Sequence, residues 1–376
     1  MNRRAFLTSA TAAAAMLHGR RSSGAQGGST KLILLGTGGG PRPRTASAAS
    51  AQVIVSNGTA DVVDCGDGVA RQLAFANVPL TTLRHVFITH HHSDHNADYG
   101  NLVWLAWTAG LNTRVDTWGP PPLAEMTRLF FAMNEYDIKT RMSNEGRVPL
   151  QRLVHVHEIR TGGAVMSDDN VKVTAALVDH PPVVPAFAFR FDARDRSIVI
   201  SGDTAPSANL ATLARGADVL VHSAMYPPAM DRLVARVPNA AALKASILAH
   251  QTSAEEAGRI AQSAGVKTLV LSHLVPPDDP QVSALYSSHM ILSGEGDRGS
   301  HRVEYDQFRS LLREVHDATA YRAARPLRGA TPAASRTAPN RLRRRRTRPD
   351  LPSASNRTIY YGAKRSETDI WMVERK

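Results

Sequence analysis

Histidines and aspartates crowd one short segment of the sequence, which reads HVFITHHHSDHNADYG. His90 and His92 are two residues apart, so in an extended backbone their rings point to the same side and can reach one metal ion. Asp94 and His95 follow where the chain turns, so they can reach a second ion nearby. Nitrogen and oxygen ligands without a thiolate suit zinc, with manganese or iron as alternatives.

Three further candidate ligands stand at the ends of predicted strands. His180 ends VKVTAALVDH, Asp203 follows RSIVIS, and His273 ends VKTLVLSH. Ligand sites of α/β folds gather at the carboxyl ends of strands, so these residues are expected to join the first four. His91 is expected to face away. Without a metal, such a buried cluster would leave polar groups unpaired at about 1–3 kcal/mol each.

The elements that must position these residues alternate along the chain. Strands are predicted at 31–35, 51–58, 60–68, 85–90, 115–121, 171–180, 196–203, 217–224 and 266–273, and helices at 122–134, 207–215 and 253–264. This alternation indicates an α/β fold with covered sheets. The glycine-rich GTGGG after the first strand lacks the Lys-Ser/Thr of a phosphate-binding P-loop, so it is interpreted as a loop at the edge of the site.

The charge of the chain is concentrated near its end. The net charge is +12, and ten arginines but one acid lie between Tyr321 and Asp350. Residues 286–376 are therefore predicted to be a divergent, largely disordered basic tail. A solvated tail is favoured, and nucleic-acid binding by the arginines is the alternative.

The first residues resemble an export signal. Arg3 and Arg4 precede an apolar, alanine-rich run that ends near small residues, which is typical of a twin-arginine-type signal peptide over residues 1–25. We therefore expect a periplasmic or secreted protein. No other run is long enough to predict an integral membrane segment. Cys65 is the single cysteine, so an intrachain disulfide is excluded.

Several motifs together resemble the metallo-β-lactamase fold. THHHSDH matches its H-x-H-x-D-H signature, and DCGDG, VDH, SGDT and LSH match its other segments in order. GTGGG, DCGDG and HQTSAEEAGRIA are most similar to the branch that contains ribonuclease Z and the metal-dependent arylsulfatases. The resemblance implies a four-layer αβ/βα sandwich, with a catalytic domain over residues 31–285 and a cleft for two zinc ions at one edge.

The resemblance also implies roles for individual residues. Asp64 would orient the site, and Asp94 and His250 would act in catalysis, His250 by protonating the leaving group. A hydroxide held between the metals would attack the substrate. One zinc would be bound by His90, His92 and His180, and the other by Asp94, His95 and His273, with Asp203 bridging the two.

The substrate is predicted from a segment that is shorter here than in ribonuclease Z. Ribonuclease Z binds tRNA with an arm between the segments that here hold His180 and Asp203, which are too close for one, so tRNA is expected to be an unlikely partner. We therefore predict a small-molecule ester, an aryl sulfate or phosphodiester. The two tryptophans in WLAWTAGL are candidates for pocket walls, with an ordinary core role as the alternative. The alternatives are a lactonase or β-lactamase, or a catalytically impaired homologue, because Ser223 stands where relatives carry Glu. Relatives are often dimers, so a homodimer is a candidate assembly.

Overall fold

The computed structural model describes residues 30–44, 47–235, 237–277 and 279, together with two short strands further along the chain. The strands are β1 (Lys31–Gly36), β2 (Ala51–Ser56), β3 (Thr59–Val63), β4 (Leu83–Phe87), β5 (Val115–Gly119), β6 (Val154–Glu158), β7 (Gly163–Ser167), β8 (Val171–Leu177), β9 (Phe187–Ala193), β10 (Ser197–Ile200), β11 (Val219–Met225), β12 (Thr268–Val275), β13 (Ile291–Ser293) and β14 (Trp371–Val373). The helices are α1 (Val69–Phe75), α2 (Ser93–Asn96), α3 (Tyr99–Thr108), α4 (Leu123–Met133), α5 (Glu135–Glu145), α6 (Ala208–Leu213), α7 (Met230–Val234), α8 (Ala240–His250) and α9 (Ala254–Ser263).

Two mixed sheets contain these strands. The first has the order β14-β1-β2-β3-β4-β5-β6 and the second β13-β12-β11-β10-β9-β8-β7. Within them, β3 to β6 are parallel to one another, as are β10, β11 and β12. Because parallel strands end at the same edge of their sheet, the segments that follow them can meet there.

The hydrophobic core lies in three layers, and β1 shows why. Leu32 and Leu34 pack between the two sheets, whereas Ile33 and Leu35 face the helices, as the two-residue period of a strand requires. The helical side of the second sheet is covered by α6 and α9, which pack largely through alanines. The result is helix, sheet, sheet, helix, so the predicted four-layer metallo-β-lactamase sandwich is confirmed.

The observed structure contains helices that the sequence did not predict, among them α5, α7 and α8. The predicted helix at 122–134 is followed at once by α5, a polar helix in which Ile138 is the buried residue. Its ion pairs, Arg141 with both Asp137 and Glu145 among them, have the four-residue spacing that stabilises a helix surface. The chain between β11 and α9 likewise forms α7 and α8, where no helix was predicted.

The start of α9 and the two ends of the chain complete the description of the fold. The capping box at the start of α9 is present, with Ser253 and Glu256 bonding each other's backbone N–H. Residues 1–25, which carry the export prediction, lie outside the described residues, as does most of 286–376. Within that tail the structure describes only β13 and β14, which pair with β12 and β1. None of the helices in the described part of the chain is long and apolar enough to cross a membrane.

Candidate metal centre

Three histidine nitrogens converge at the edge where the two sheets meet. His90 Nε2 lies 3.0 Å from His92 Nδ1, and His180 Nε2 lies 3.1 Å from the same atom. His90 and His180 are buried, and His92 is half-buried. Three ligand nitrogens at about 2.0–2.1 Å from a tetrahedral zinc would lie about 3.3 Å apart. The observed spacing therefore fits a single ion.

A second group lies next to the first. His273 Nε2 is 3.1 Å from Asp94 Oδ2 and 3.2 Å from Asp203 Oδ2. His95 Nε2 is 3.5 Å from Asp203 Oδ1 and 3.8 Å from Asp94 Oδ2. Because the carboxylate of Asp203 also lies within ligand distance of His90, it faces both groups. The structure thus brings together all seven residues that were predicted as ligands.

The donor atoms themselves indicate that a cation belongs here. His95 Nε2 and Asp203 Oδ1 are buried, and neither has a hydrogen-bond partner within the part of the chain that the structure describes. Leaving such groups unpaired costs about 1–3 kcal/mol each, so a bound ion would satisfy them. Nitrogen and carboxylate donors without sulfur suit zinc. The residues present therefore fit the metals that the fold implies.

Asp64 holds both groups in place. Its Oδ2 accepts a hydrogen bond from His95 Nδ1 at 2.7 Å, and its carboxylate also accepts the backbone N–H and hydroxyl of Thr89. Since the single hydroxyl proton of Thr89 goes to this carboxylate, the hydroxyl oxygen accepts from His90 Nδ1 at 3.0 Å. Both Nδ1 atoms thus carry protons, which leaves both Nε2 lone pairs directed at the cluster. The predicted orienting role of Asp64 agrees with this geometry.

The electrostatics of the second group favour positive charge. Burial alone would raise the pKa of Asp203, but His273 and His95 hold it well below its usual range. Burial opposes the protonated form of His95, yet Asp203, Asp64 and Asp94 raise its pKa well above the ordinary value. The three-histidine group is different, because burial lowers the pKa of His180 to about 4. Its neutral imidazoles are the form that binds metals.

The glycine-rich loop lies at the edge of the site, as predicted. The N–H of Gly40 donates to Asp94 Oδ2 at 2.7 Å. A Cβ on Gly39 would lie 2.8 Å from the ring of His273 and 2.6 Å from Val275, so only glycine allows this approach. Arg44 holds the loop by donating to the carbonyls of Gly39 and Gly40. The loop therefore positions two candidate ligands.

His250 lies beside the metal centre, at the end of α8. Its ring centroid is 4.6 Å from that of His180, and its carbonyl accepts a hydrogen bond from His180 Nδ1 at 3.2 Å. Its Nε2 lies 2.9 Å from Ser246 Oγ. Burial lowers the pKa of the His250 ring, which keeps it close to the neutral form. The residue can thus contribute in two ways, by its backbone to His180 and by its ring to a substrate.

Two other predicted features are located by the structure. His91 does face away, since its Nε2 donates to the carbonyl of Pro120 at 2.7 Å. Ser223 lines a small buried cavity of about 10 Å³ together with Ser201 and Ser272. That cavity shares Asp203 and His273 with the cleft that His250 lines, but Ser223 does not line the cleft. Ser223 Oγ makes no hydrogen bond within the described residues, so it forms none with His250, and the effect of Ser223 on activity stays a prediction.

A cleft of about 670 Å³ opens above the metal centre. The loop of residues 39–44 forms one wall, and α7 and α8 contribute Arg232, Leu233, Leu243, Ser246 and Ile247 to the lining. The tryptophans that were predicted as pocket walls do not line it, and Trp107 is buried in the core between the first sheet and its helices. The walls come instead from the helical segment that had not been predicted.

Comparison with known proteins identifies the family. The ribonuclease Z of Mycobacterium sp. (strain KMS) is 36% identical over 252 residues, which are 66% of this chain and 86% of that protein. The ribonuclease Z of Mycobacterium bovis (strain BCG / Pasteur 1173P2) is 32% identical over 281 residues, or 73% of this chain and 98% of that protein. The chain belongs to the ribonuclease Z family. It is accordingly a metal-dependent hydrolase of the metallo-β-lactamase fold.

This chain is also similar to one family model and to several solved structures. A family model described as Anti-Pycsar protein Apyc1 matches residues 30–230. Among solved structures, the short form of human tRNase Z is 22% identical with a TM-score of 0.49, covering 65% of this chain and 92% of that one. The zinc-bound PqqB from Methylobacterium extorquens is 14% identical with a TM-score of 0.49, covering 69% and 96%.

The prediction of a small-molecule ester as partner, with tRNA unlikely, is wrong, because relatives at 36% identity are named ribonuclease Z. The prediction relied on the short segment between His180 and Asp203, and β9 and β10 do fill it. However, the cleft is walled elsewhere, by a loop and helices that carry Arg42, Arg44 and Arg232. An arm missing at one position does not exclude an RNA that is bound by these walls.

Proposed function

We propose that this chain hydrolyses phosphodiester bonds in RNA, including tRNA, with two zinc ions bound at the metal centre. The observation that carries the proposal is the convergence of seven ligand side chains from both sheets on one point of a cleft. The names of the relatives support RNA as the substrate. When bound, the ions would supply Lewis acidity and a nucleophile at neutral pH.

The chain's own residues would orient the candidate ligands and assist proton transfer. Asp64 keeps His95 and, through Thr89, His90 in the tautomers that expose Nε2. The loop N–H of Gly40 fixes the carboxylate of Asp94. His250 lines the cleft beside His180 and can hold a proton near a leaving oxygen. Acid–base assistance of this kind contributes about 10²–10⁴-fold to a rate.

The test combines metal analysis with a substrate panel. The purified protein would be analysed for metals per chain and assayed on a tRNA precursor, an unstructured RNA, bis-nitrophenyl phosphate, nitrophenyl sulfate and a β-lactam. We expect about two zinc ions per chain and cleavage of RNA that chelation abolishes and zinc restores. Asp203→Ala serves as the inactive control. A metal-loaded protein that cleaves neither RNA would refute the proposal, and turnover of the β-lactam instead would point to carbonyl chemistry.

We also propose that the protein is exported by the twin-arginine route, which rests on Arg3, Arg4 and the apolar run that follows them. Expression in a bacterial host, followed by fractionation and N-terminal sequencing, tests this. Cleavage near residue 25, lost when both arginines are changed to lysine, is the expected result. An intact N-terminus in the cytoplasmic fraction would contradict it.

A further inference from the structure

One face of α8 runs along the cleft and carries both apolar and polar side chains. Leu243, Ser246, Ile247 and His250 have the spacing that places side chains on one side of a helix, and all four line the cleft. At 1.5 Å per residue, Ile247 lies about 4–5 Å and Leu243 about 10 Å from His250 along the axis. The face therefore presents two apolar side chains, Leu243 and Ile247, next to the polar side chains of Ser246 and His250.

The apolar part of this face is accessible within the cleft. No residue of α8 is fully buried, and Leu243 and Ile247 are half-buried. Leu233 of α7 and Val275 of β12 extend the same surface. An ion pair between Lys244 and Asp231 fastens α8 to α7. Ile247 and Leu233 pack on one side against the buried cluster of Met225, Met230 and Val275, and they also line the cleft. An apolar surface that is supported from below and still accessible in a cleft is typical of a ligand site.

The glycine-rich loop contributes a cationic side chain to the cleft. Arg42 is exposed and lines the cleft, whereas Arg44 is engaged with the carbonyls of its own loop. A ligand that suits both walls needs an anionic part next to a flat apolar part. A ribonucleotide has this composition, because a ribose separates its phosphate from its base. A cleft of about 670 Å³ falls in the range of sites that enclose ligands of this size.

We propose that the apolar face of α8, with Leu243 and Ile247, binds the base of the nucleotide adjacent to the phosphodiester that is cleaved. The proposal rests on the proposed RNA hydrolysis and adds which part of the substrate this wall recognises. Contact between a base and an apolar or aromatic side chain tolerates every base, since each has the same flat faces. The subsite would therefore demand a base at this position without demanding a particular one.

The test uses RNA substrates that differ in one base. An oligoribonucleotide is compared with versions in which the nucleotide on either side of the cleaved bond is abasic, and kcat/KM is measured for the full-length protein loaded with zinc. We expect the native protein to lose about 5- to 20-fold on one abasic RNA, because contact with two half-buried aliphatic side chains is worth less than full apolar burial. Leu243→Ala should lose a similar factor on intact RNA but little more on the abasic RNA.

Matched variants separate this contact from a general disturbance of α8. Leu248 lies on the same helix, is 44% exposed and does not line the cleft, so Leu248→Ala should cleave both RNAs at native rates. Leu243→Met keeps an apolar contact and should lose less on intact RNA than Leu243→Ala does. Equal cleavage of intact and abasic RNA by the native protein would overturn the subsite and leave RNA hydrolysis standing. Failure to cleave any RNA would overturn the proposed function and the subsite with it.

Discussion

Replacing Asp64 by asparagine should weaken metal binding with almost no change in shape. The carboxylate is 1% exposed and accepts hydrogen bonds from His95 Nδ1 and from both polar groups of Thr89. An asparagine can keep the backbone N–H of Thr89 on its oxygen, but its amide N–H groups would then face His95 Nδ1. Two donors cannot bond each other, so His95 must either lose this bond or move its proton to Nε2.

Either outcome acts on the atom that faces the ion, because His95 Nε2 points at Asp94 and Asp203. Replacing partners of this kind typically lowers metal affinity 10- to 100-fold, which corresponds to about 1.4–2.7 kcal/mol. A hydrogen bond to a charged group contributes about 1.5–3 kcal/mol, so the two estimates agree. Backbone strain does not contribute, since Asp64 has a φ of 59° and asparagine tolerates this left-handed conformation.

The assay is a titration of zinc against a chelator of known affinity. Asp98→Asn is the matched control, because Asp98 also accepts two hydrogen bonds, from the Gly68 N–H and from Asn101, but neither comes from a candidate ligand. The expected result is a loss confined to Asp64→Asn. Unchanged affinity in that variant, or an equal loss in both, would refute the tautomer argument.

Three further substitutions probe the site. His250→Ala should lower kcat about 10²–10⁴-fold while metal content stays native, because the backbone carbonyl of residue 250, not its ring, holds His180; loss of metal would contradict this. Gly39→Ala should reduce the metals bound per chain by displacing the ring of His273, and full occupancy by metal analysis would contradict the packing argument. Ser223→Glu should lower the melting temperature and leave turnover no higher, since its cavity of about 10 Å³ cannot accept a carboxylate, and a rise in turnover would contradict this.

The convergence of the candidate ligands could be predicted because its basis is local, whereas their division between two metals came from the family resemblance. His90 and His92 alternate in an extended backbone, and Asp203 and His273 follow strands of a parallel set whose ends share one edge. The prediction needed only strand periodicity and the direction of the strands. Asp64 followed from the family motif, and its contact with His95 depends on a residue 31 positions away.

The cleft could not be predicted, because α8 carries no periodic signal. Its sequence, AAALKASILAH, is apolar on most sides, so nothing indicates which face would turn toward the metals. That orientation depends on the packing of α8 on α7, to which the exposed ion pair from Lys244 to Asp231 adds little. His250 is the last residue of this unpredicted helix. Trp107 was a candidate for a pocket wall because it is aromatic, and it lies in the hydrophobic core.

The candidate ligands are divided between the two halves of the sandwich. His90, His92, Asp94 and His95 follow β4 of the first sheet, whereas His180, Asp203 and His273 belong to the second. Neither half alone can complete either group, since each trio draws on both. A bound ion would therefore act as a thermodynamic cross-link, and its binding free energy would add to the association of the halves. Metal occupancy in this protein would thus report that the two halves have docked correctly, before any substrate arrives.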